Sequence, residues 1–358
     1  MSSTVTFGPA SAKPGTKEFA WLEVCTMADG APLRIPVHII AGSRPGPRLT
    51  VLSAQHGYEI SEIEVCRQII QKTDPRKLKG TLVVVPVASP ISFEGGVRST
   101  WIDSLYGDNG NMNRVWPGRA DGWITDRAVY LMGQELIKGS DVVVDLHDCD
   151  TSSPGLTIYY GYCMSAPWNE EVSERTRQIS KVSGFDILIK RQVPTLAGSL
   201  GQFALSEGIP FFACEVGEFY GFQLKEGDLQ STRPVRTVPE SGVTALENIM
   251  THLGMIEGRP KLPKRQLLIS PENNLRPSHG GLLFSNYDRT AIGKVVPKGT
   301  LLGTVVSPYS FEALEEIRAP YDQNMIIAVT HHRPFSRVNT GNYGFIVSDM
   351  ATAEWVEN

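Results

Sequence analysis

Histidine and acidic residues that could bind a metal ion occur at three separate points of the 358-residue chain. His56 and Glu59 lie in SAQHGYE, His147 ends VVVDLH, and Glu215 follows the apolar run PFFAC. Two imidazoles and one carboxylate at a common point would make a three-ligand zinc site with a fourth position open. An open position is typical of catalytic zinc sites, so these residues predict hydrolytic or related chemistry at a metal.

Each of these segments follows an apolar, β-branched run that predicts a buried strand. In open α/β sheets the carboxyl ends of the strands gather at one edge, where ligands bind. His56 and Gly57 directly follow one strand and Glu59 opens a helix, so the turn between them could aim both side chains at one point. The H-x-x-E spacing alone is a weak signal, and its position after a strand gives it weight.

The strand before His147 also suggests a partner for the imidazole. Side chains alternate along a strand, so Asp145 and His147 point to the same side, and a carboxylate there could orient a metal-binding histidine. An interior histidine satisfied by hydrogen bonds is the alternative. Glu215 stands in an apolar setting, where a buried carboxylate requires a metal-bound water, a cation or a raised pKa.

A loop-like segment, GVRSTWIDSLYGDNGNMNRVWPGR, contains Arg98, Asn113 and Arg114. A solvated arginine is the ordinary interpretation of any one of them. An adjacent Asn-Arg pair near the site would instead form a fork for a substrate carboxylate, with a bidentate geometry that Lys cannot match.

The alternation of strands and helices predicts an α/β fold, in which helices sandwich a mostly parallel mixed sheet. A basic stretch rich in Gly and Pro, EGRPKLPKRQ, resembles a linker, and short strand-like pieces follow it. We therefore predict two domains. Residues 1–258 form a zinc-binding catalytic α/β domain, and residues 259–358 form a small C-terminal all-β, barrel-like domain.

Composition narrows the class of protein. The net charge of −4 and the 20% of charged residues give no electrostatic basis for binding nucleic acid or an anionic membrane. The five cysteines are Cys25, Cys66, Cys149, Cys163 and Cys214; none forms a C-x-x-C pair, and we expect Cys149 and Cys214 to pack in the core. We expect a cytoplasmic protein with a small-molecule substrate, and edge strands leave a homo-oligomer open.

In these motifs the chain resembles the succinylglutamate desuccinylase and aspartoacylase family, a branch of the zinc carboxypeptidase-like fold. HGYE matches the family's H-G-x-E, NMNRVWPG its D-x-N-R-x-F-P-G, DLHDCDTS its D-L-H-x-x-x-S, and ACEVGE its E-x-G. The motifs occur in the family's order.

The resemblance implies one zinc ion per chain, held by His56, Glu59 and His147. It implies that Glu215 acts as general base and then as proton donor, and that Arg98 polarises the scissile carbonyl. It also implies that the substrate carries a carboxylate, gripped by Asn113 and Arg114.

The departures from the family pattern include Asn111 and Tyr58. Asn111 replaces an acidic residue that usually supports the first zinc histidine, and an amide brings no charge to that bond. Tyr58 replaces a small polar residue in H-G-x-E, and we expect its ring to narrow the pocket.

The leading hypothesis is a zinc-dependent amidohydrolase, or deacylase, acting on a small N-acylated amino acid or a related compound. A zinc carboxypeptidase acting on short peptides shares the same chemistry, although an appended β domain would exclude long peptides. A non-catalytic zinc-containing binding protein is the rival from another class, and it would have no need of a buried base such as Glu215.

Overall fold

The computed structural model describes residues 4–102, 109–148, 156–157, 160–192, 197–216, 221–225, 228–235, 240–269, 273–288, 291–329 and 335–358. Cys149, for which we predict core packing, lies outside these residues. Cys66 and Cys214 are free thiols, and Cys214 is buried as expected.

The described strands are β1 (Val5–Phe7), β2 (Ala10–Ala12), β3 (Thr16–Thr26), β4 (Pro32–Ala41), β5 (Arg44–Leu52), β6 (Lys79–Val85), β7 (Val142–His147), β8 (Leu156–Thr157), β9 (Tyr160–Ser165), β10 (Ile187–Gln192), β11 (Phe211–Glu215), β12 (Gly221–Lys225), β13 (Asp228–Val235), β14 (Arg265–Ile269), β15 (Asn273–Leu275), β16 (Gly281–Ser285), β17 (Val295–Pro297), β18 (Leu301–Val306), β19 (Ala313–Arg318), β20 (Gln323–Val329), β21 (Phe335–Val338), β22 (Phe345–Asp349) and β23 (Glu354–Glu357). The α-helices are α1 (Ser61–Lys72), α2 (Pro90–Gly95), α3 (Ile124–Met132), α4 (Glu170–Val182), α5 (Leu200–Ser206) and α6 (Glu240–His252).

A sheet of ten strands forms the centre of the structure, in the order β23-β14-β10-β9-β11-β7-β5-β6-β4-β3. Neighbouring strands are parallel from β14 to β9 and from β11 to β6. They are antiparallel between β9 and β11 and at both ends of the sheet. The predicted α/β fold with a mixed, mostly parallel sheet is confirmed.

Both faces of this sheet are buried. On the central strands, consecutive residues belong to different apolar clusters, so Val143 packs on one face and Val144 on the other. Residues of α1 and α6 cover the face of Val144, and residues of α3 and α5 cover the opposite face. This arrangement explains why the strand sequences are continuously apolar rather than alternating.

The predicted C-terminal β region is present as two small sheets. One has the order β15-β22-β20-β17, and β8 pairs with β20; the other has the order β19-β18-β16-β21. However, β14 and β23 belong to the ten-stranded sheet, although both follow residue 258. Strands therefore cross between the two parts of the chain, and the division at residue 258 stays a prediction.

Within the described part of the chain, no helix combines the length and apolar character needed to span a membrane.

Candidate metal centre

The predicted residues meet at one edge of the sheet because β11, β7 and β5 are neighbouring parallel strands. His147 is the last residue of β7 and Glu215 the last residue of β11, and the two are in register. His56 and Glu59 lie in the turn that connects β5 to α1. The convergence expected from the strand ends is therefore present.

Close packing fixes the turn that carries His56. A Cβ atom on Gly57 would lie 1.8 Å from the carbonyl carbon of Ser92, so only glycine fits against α2 at this point. Ala54 has a left-handed φ of 49°, and its N–H donates to Oε1 of Glu62 at 3.1 Å. The pKa of the Glu62 carboxyl is raised well above its usual range, because the side chain is buried and lies near other acidic groups.

His56, Glu59 and His147 form a compact, buried cluster in which one ligand atom from each lies within 4.8 Å of the others. The Nδ1 atom of His56 is 2.7 Å from Oε1 of Glu59, and the Nδ1 atom of His147 is 2.9 Å from Oε2. Both imidazoles thus turn the same nitrogen toward a single carboxylate.

The far nitrogen of each imidazole has an acceptor. Nε2 of His147 is 2.9 Å from Oδ2 of Asp145, the partner anticipated from strand alternation. Nε2 of His56 is 3.3 Å from Oδ1 of Asn111, so the amide does occupy the supporting position. A neutral imidazole that donates through Nε2 to its acceptor has no proton on Nδ1, so that the Nδ1 atom, on the side of Glu59, is available to ligate a metal.

The charges of the cluster stabilise each other. Burial alone would raise the pKa of Glu59, but His56 and His147 outweigh it and hold that pKa well below its usual range. Burial also disfavours charge on His147, yet Asp145 and Glu59 outweigh it and raise the pKa of its imidazole. The pKa of His56 is lowered, because burial outweighs the effect of Glu59.

This donor set fits a divalent cation of the zinc type. Two imidazole nitrogens and a carboxylate converge, all three groups are buried, and their outer atoms are oriented by hydrogen bonds. Such a cluster could hold a metal ion.

Glu215 stands beside this cluster with part of its side chain exposed. The surrounding protein raises the pKa of its carboxyl, although His147 opposes that effect. A carboxyl with a raised pKa at the edge of a cluster that could hold a metal ion has the properties of a proton-transfer group.

Arg98 lies beside the His56–Glu59–His147 cluster and is hydrogen-bonded to Tyr58, the residue that departs from the family's H-G-x-E motif. Its Nη1 atom donates to Oη of Tyr58 at 2.7 Å and is 3.8 Å from Oε1 of Glu59. Burial works against its charge, but Tyr58 and Glu59 raise the pKa of the guanidinium. The Tyr58 ring stacks at 6.3 Å from the His56 ring, so it does occupy space beside the cluster.

The Asn113–Arg114 pair is also near the cluster. The side chain of Asn113 is buried between Nε2 of His147, at 3.2 Å from its Nδ2, and the N–H of Leu200, which donates to its Oδ1 at 2.9 Å. Burial and the positive charge of Arg98 lower the pKa of Arg114. The role of Asn113 and Arg114 in substrate binding stays a prediction.

Sequence reasoning missed three residues at this site. Gln55 donates to Asp145 behind His147, and Trp116 donates to Gln55. Tyr343, from the C-terminal part of the chain, lies close enough to influence the charge of both Arg98 and Arg114. A tyrosine in a Gly- and Asn-rich turn gave no signal in the sequence that could have revealed this position.

Residues 45–235 match the family model of the succinylglutamate desuccinylase/aspartoacylase catalytic domain. This region includes every residue of the cluster and its surroundings described above except Tyr343. The N-alpha-acetyl-L-2,4-diaminobutyric acid deacetylase of Halomonas elongata is 24% identical over 277 residues, which are 76% of this chain and 73% of the relative.

Solved structures share the fold over nearly the whole chain. A succinylglutamate desuccinylase from a Silicibacter species has a TM-score of 0.77 at 19% identity, covering 94% of this chain and 95% of that one. The product-bound ectoine utilization protein EutE from Ruegeria pomeroyi has a TM-score of 0.77 at 19% identity, covering 98% and 100%. At these identities the likeness establishes the fold.

Proposed function

The chain belongs to the succinylglutamate desuccinylase/aspartoacylase family, and we propose that it is a zinc-dependent hydrolase that cleaves the amide bond of a small N-acylated amino acid. The observation that carries this proposal is the buried His56–Glu59–His147 cluster, with both Nδ1 atoms turned toward Glu59. Zinc is the ion that this donor set favours.

The positive charge beside the cluster supports a substrate with a carboxylate. The Nη1 atom of Arg98 lies 3.8 Å from Oε1 of Glu59 in the cluster, and the charge of Arg98 lowers the pKa of Arg114. A bound anion would relieve the repulsion between the two positive charges. The similar deacetylase of Halomonas elongata acts on N-alpha-acetyl-L-2,4-diaminobutyric acid, so acetylated amino acids are the first substrates to try.

We assign a separate role in this reaction to each residue around the cluster. A bound zinc ion would supply a Lewis acid that polarises the amide carbonyl and acidifies water. Glu215 accepts a proton from the attacking water and passes it to the departing amine. Arg98 stabilises the negative charge that develops on the carbonyl oxygen, and Asn113 and Arg114 orient the carboxylate.

The test is amine release from a panel of N-acetyl amino acids and unblocked dipeptides, before and after removal of metal with a chelator. We expect hydrolysis of at least one N-acetyl amino acid, its loss with the chelator and its recovery with zinc. The variant His147→Ala should lose zinc, because one of the three ligands disappears together with its contact to Asp145.

His279→Ala is the matched control, since His279 is exposed and pairs with Glu315 in the C-terminal part of the chain. Its zinc content and turnover should equal those of the parent. Cleavage of dipeptides alone would favour the carboxypeptidase alternative, and zinc binding without turnover of any compound would favour the binding-protein alternative. Undiminished zinc in His147→Ala would contradict the ligand set.

A further inference from the structure

A buried chain of hydrogen bonds runs behind His147. The indole N–H of Trp116 donates to Oε1 of Gln55 at 3.0 Å, and Nε2 of Gln55 lies 2.8 Å from each carboxylate oxygen of Asp145. Oδ2 of Asp145 is in turn 2.9 Å from Nε2 of His147. All four residues are buried, and Gln55 is fully so, which makes each unmade bond costly.

The direction of every bond in this chain follows from its first member. An indole nitrogen can only donate, so the amide of Gln55 must turn its oxygen to Trp116 and its NH₂ group to Asp145. The carboxylate of Asp145, which accepts hydrogen bonds from this NH₂ group, can only accept from His147 as well. A neutral His147 that donates to Asp145 therefore carries its proton on Nε2, which leaves Nδ1, on the side of Glu59, as the atom that can ligate a metal.

A competing donor makes this direction important. Nδ2 of Asn113 also lies 3.2 Å from Nε2 of His147, and the Leu200 N–H fixes the orientation of that amide by donating to its oxygen. The NH₂ group of Asn113 can bond only to an Nε2 without a proton. In that tautomer the proton of His147 would sit on Nδ1, pointing at Glu59, and Nδ1 could not ligate a metal.

We propose that Gln55 and Trp116 are positioning residues that hold His147 in the Nε2–H tautomer, and that they thereby set the affinity of the cluster for zinc. The zinc part of this inference rests on the proposed function, whereas the tautomer does not. Two departures from the quoted family pattern, at Trp116 and Asn111, agree with this inference. Trp116 stands where the motif has Phe, which cannot donate, and the charged acceptor lies behind His147 while His56 has only the Asn111 amide.

The experiment compares Trp116→Phe and Gln55→Met with the parent protein. Phe keeps the aromatic stacking of Trp116 on Phe203 at 5.6 Å and removes only the N–H donor. Met fills the volume of Gln55 without its polar atoms. Zinc affinity is measured by competition with a chromogenic chelator, and the His147 tautomer by long-range ¹H–¹⁵N correlation on metal-free protein at alkaline pH, where the imidazole is neutral.

We expect zinc affinity to fall about 10- to 100-fold in Gln55→Met and about fivefold in Trp116→Phe. The double variant should bind zinc no more weakly than Gln55→Met, because both residues act through one chain of bonds. The His147 signal should shift from the Nε2–H form toward the Nδ1–H form. Phe203→Leu, which disturbs the packing of Trp116 but not its donor, is the control and should keep the Nε2–H form.

Unchanged tautomer and unchanged zinc affinity in both variants would overturn the inference. Should Gln55→Met fail to fold, Trp116→Phe decides by itself, since its packing is preserved. Neither readout uses a substrate, so an absence of deacylase activity bears on the proposed function alone. A parent protein that binds no zinc would overturn the zinc part together with the proposed function, and the tautomer signal would then decide the rest.

Discussion

Glu215 ends an apolar strand and yet carries the acidic group on which the proposed reaction depends. Burial raises the pKa of its carboxyl, and the positive field of His147 only partly offsets that effect. A carboxyl of this kind holds a proton more readily than a surface glutamate does, which suits a group that must both accept and return one.

Replacing Glu215 with glutamine tests this role directly. We expect Glu215→Gln to retain zinc, because the ligand atoms of His56, Glu59 and His147 are untouched, and to lose about 10²- to 10⁴-fold in kcat. Zinc content by elemental analysis and turnover of the best N-acetyl amino acid are the measurements. Glu312→Gln, at an exposed turn position, serves as control. A largely active Glu215→Gln would exclude the base assignment.

Residue types at strand ends were predictable, but the bonds that orient them were not. His56, His147 and Glu215 stood out because polar groups that follow apolar strands need a chemical reason. Gln55 and Trp116 looked like ordinary packing residues, since their partners lie 90 and 61 positions away in the chain. A local pattern carries no information about which distant side chain will meet an amide or an indole.

The turn between β5 and α1 is the element that most depends on one small residue. Gly57 lies against the backbone of Ser92, and its own N–H donates to the carbonyl of Val97 at 2.8 Å. Because backbone rather than a flexible side chain occupies the space, a methyl group here must displace either the turn or α2.

We therefore expect Gly57→Ala to lower the free energy of unfolding by about 3 kcal/mol and to weaken zinc binding by moving His56. Urea denaturation with and without zinc measures both effects. Gly280→Ala is the control, since its Cβ would meet nothing closer than 3.5 Å. A Gly57→Ala protein as stable as the parent would show that the turn can move at little cost.

The elements of the sheet were easier to predict than their order. Continuous apolar runs identified the central strands because both faces of the sheet are buried. By contrast, β3 alternates exposed charged and aromatic residues at the edge of the sheet and gave no strand signal as strong. β9 lies antiparallel beside β11, and β14 and β23 join the large sheet from the C-terminal part of the chain. These positions depend on pairing between distant residues, which the periodicity of the sequence does not encode.

At the scale of the whole molecule, strands from both sides of residue 258 take part in the same sheets. β14 and β23 extend the large sheet beyond β10, and β8 joins a small sheet of the C-terminal part. One buried cluster includes residues of both parts, among them Phe211 of the large sheet and Phe345 of a small one. Folding of one part is therefore expected to depend on the other.

Cutting the chain after residue 258 tests that dependence. We expect the fragment 1–258 to aggregate or to unfold without cooperativity, because it exposes the side of β10 that β14 covers and the apolar residues that pack on the small sheets. Size-exclusion chromatography and urea unfolding are the measurements. Co-expression with the fragment 259–358 is the control and should restore the folded protein. A monomeric fragment with cooperative unfolding would support two autonomous domains.

The position of β23 also bears on how the protein is made. A ribosome releases β10 long before β14, and the outermost strand follows only after both small sheets have been translated. At typical elongation rates the interval from β10 to β23 lasts on the order of ten seconds. During that time one edge of the large sheet lacks its final strand and keeps unpaired backbone amides, so we expect the yield in a cell to depend on chaperones that shield this edge.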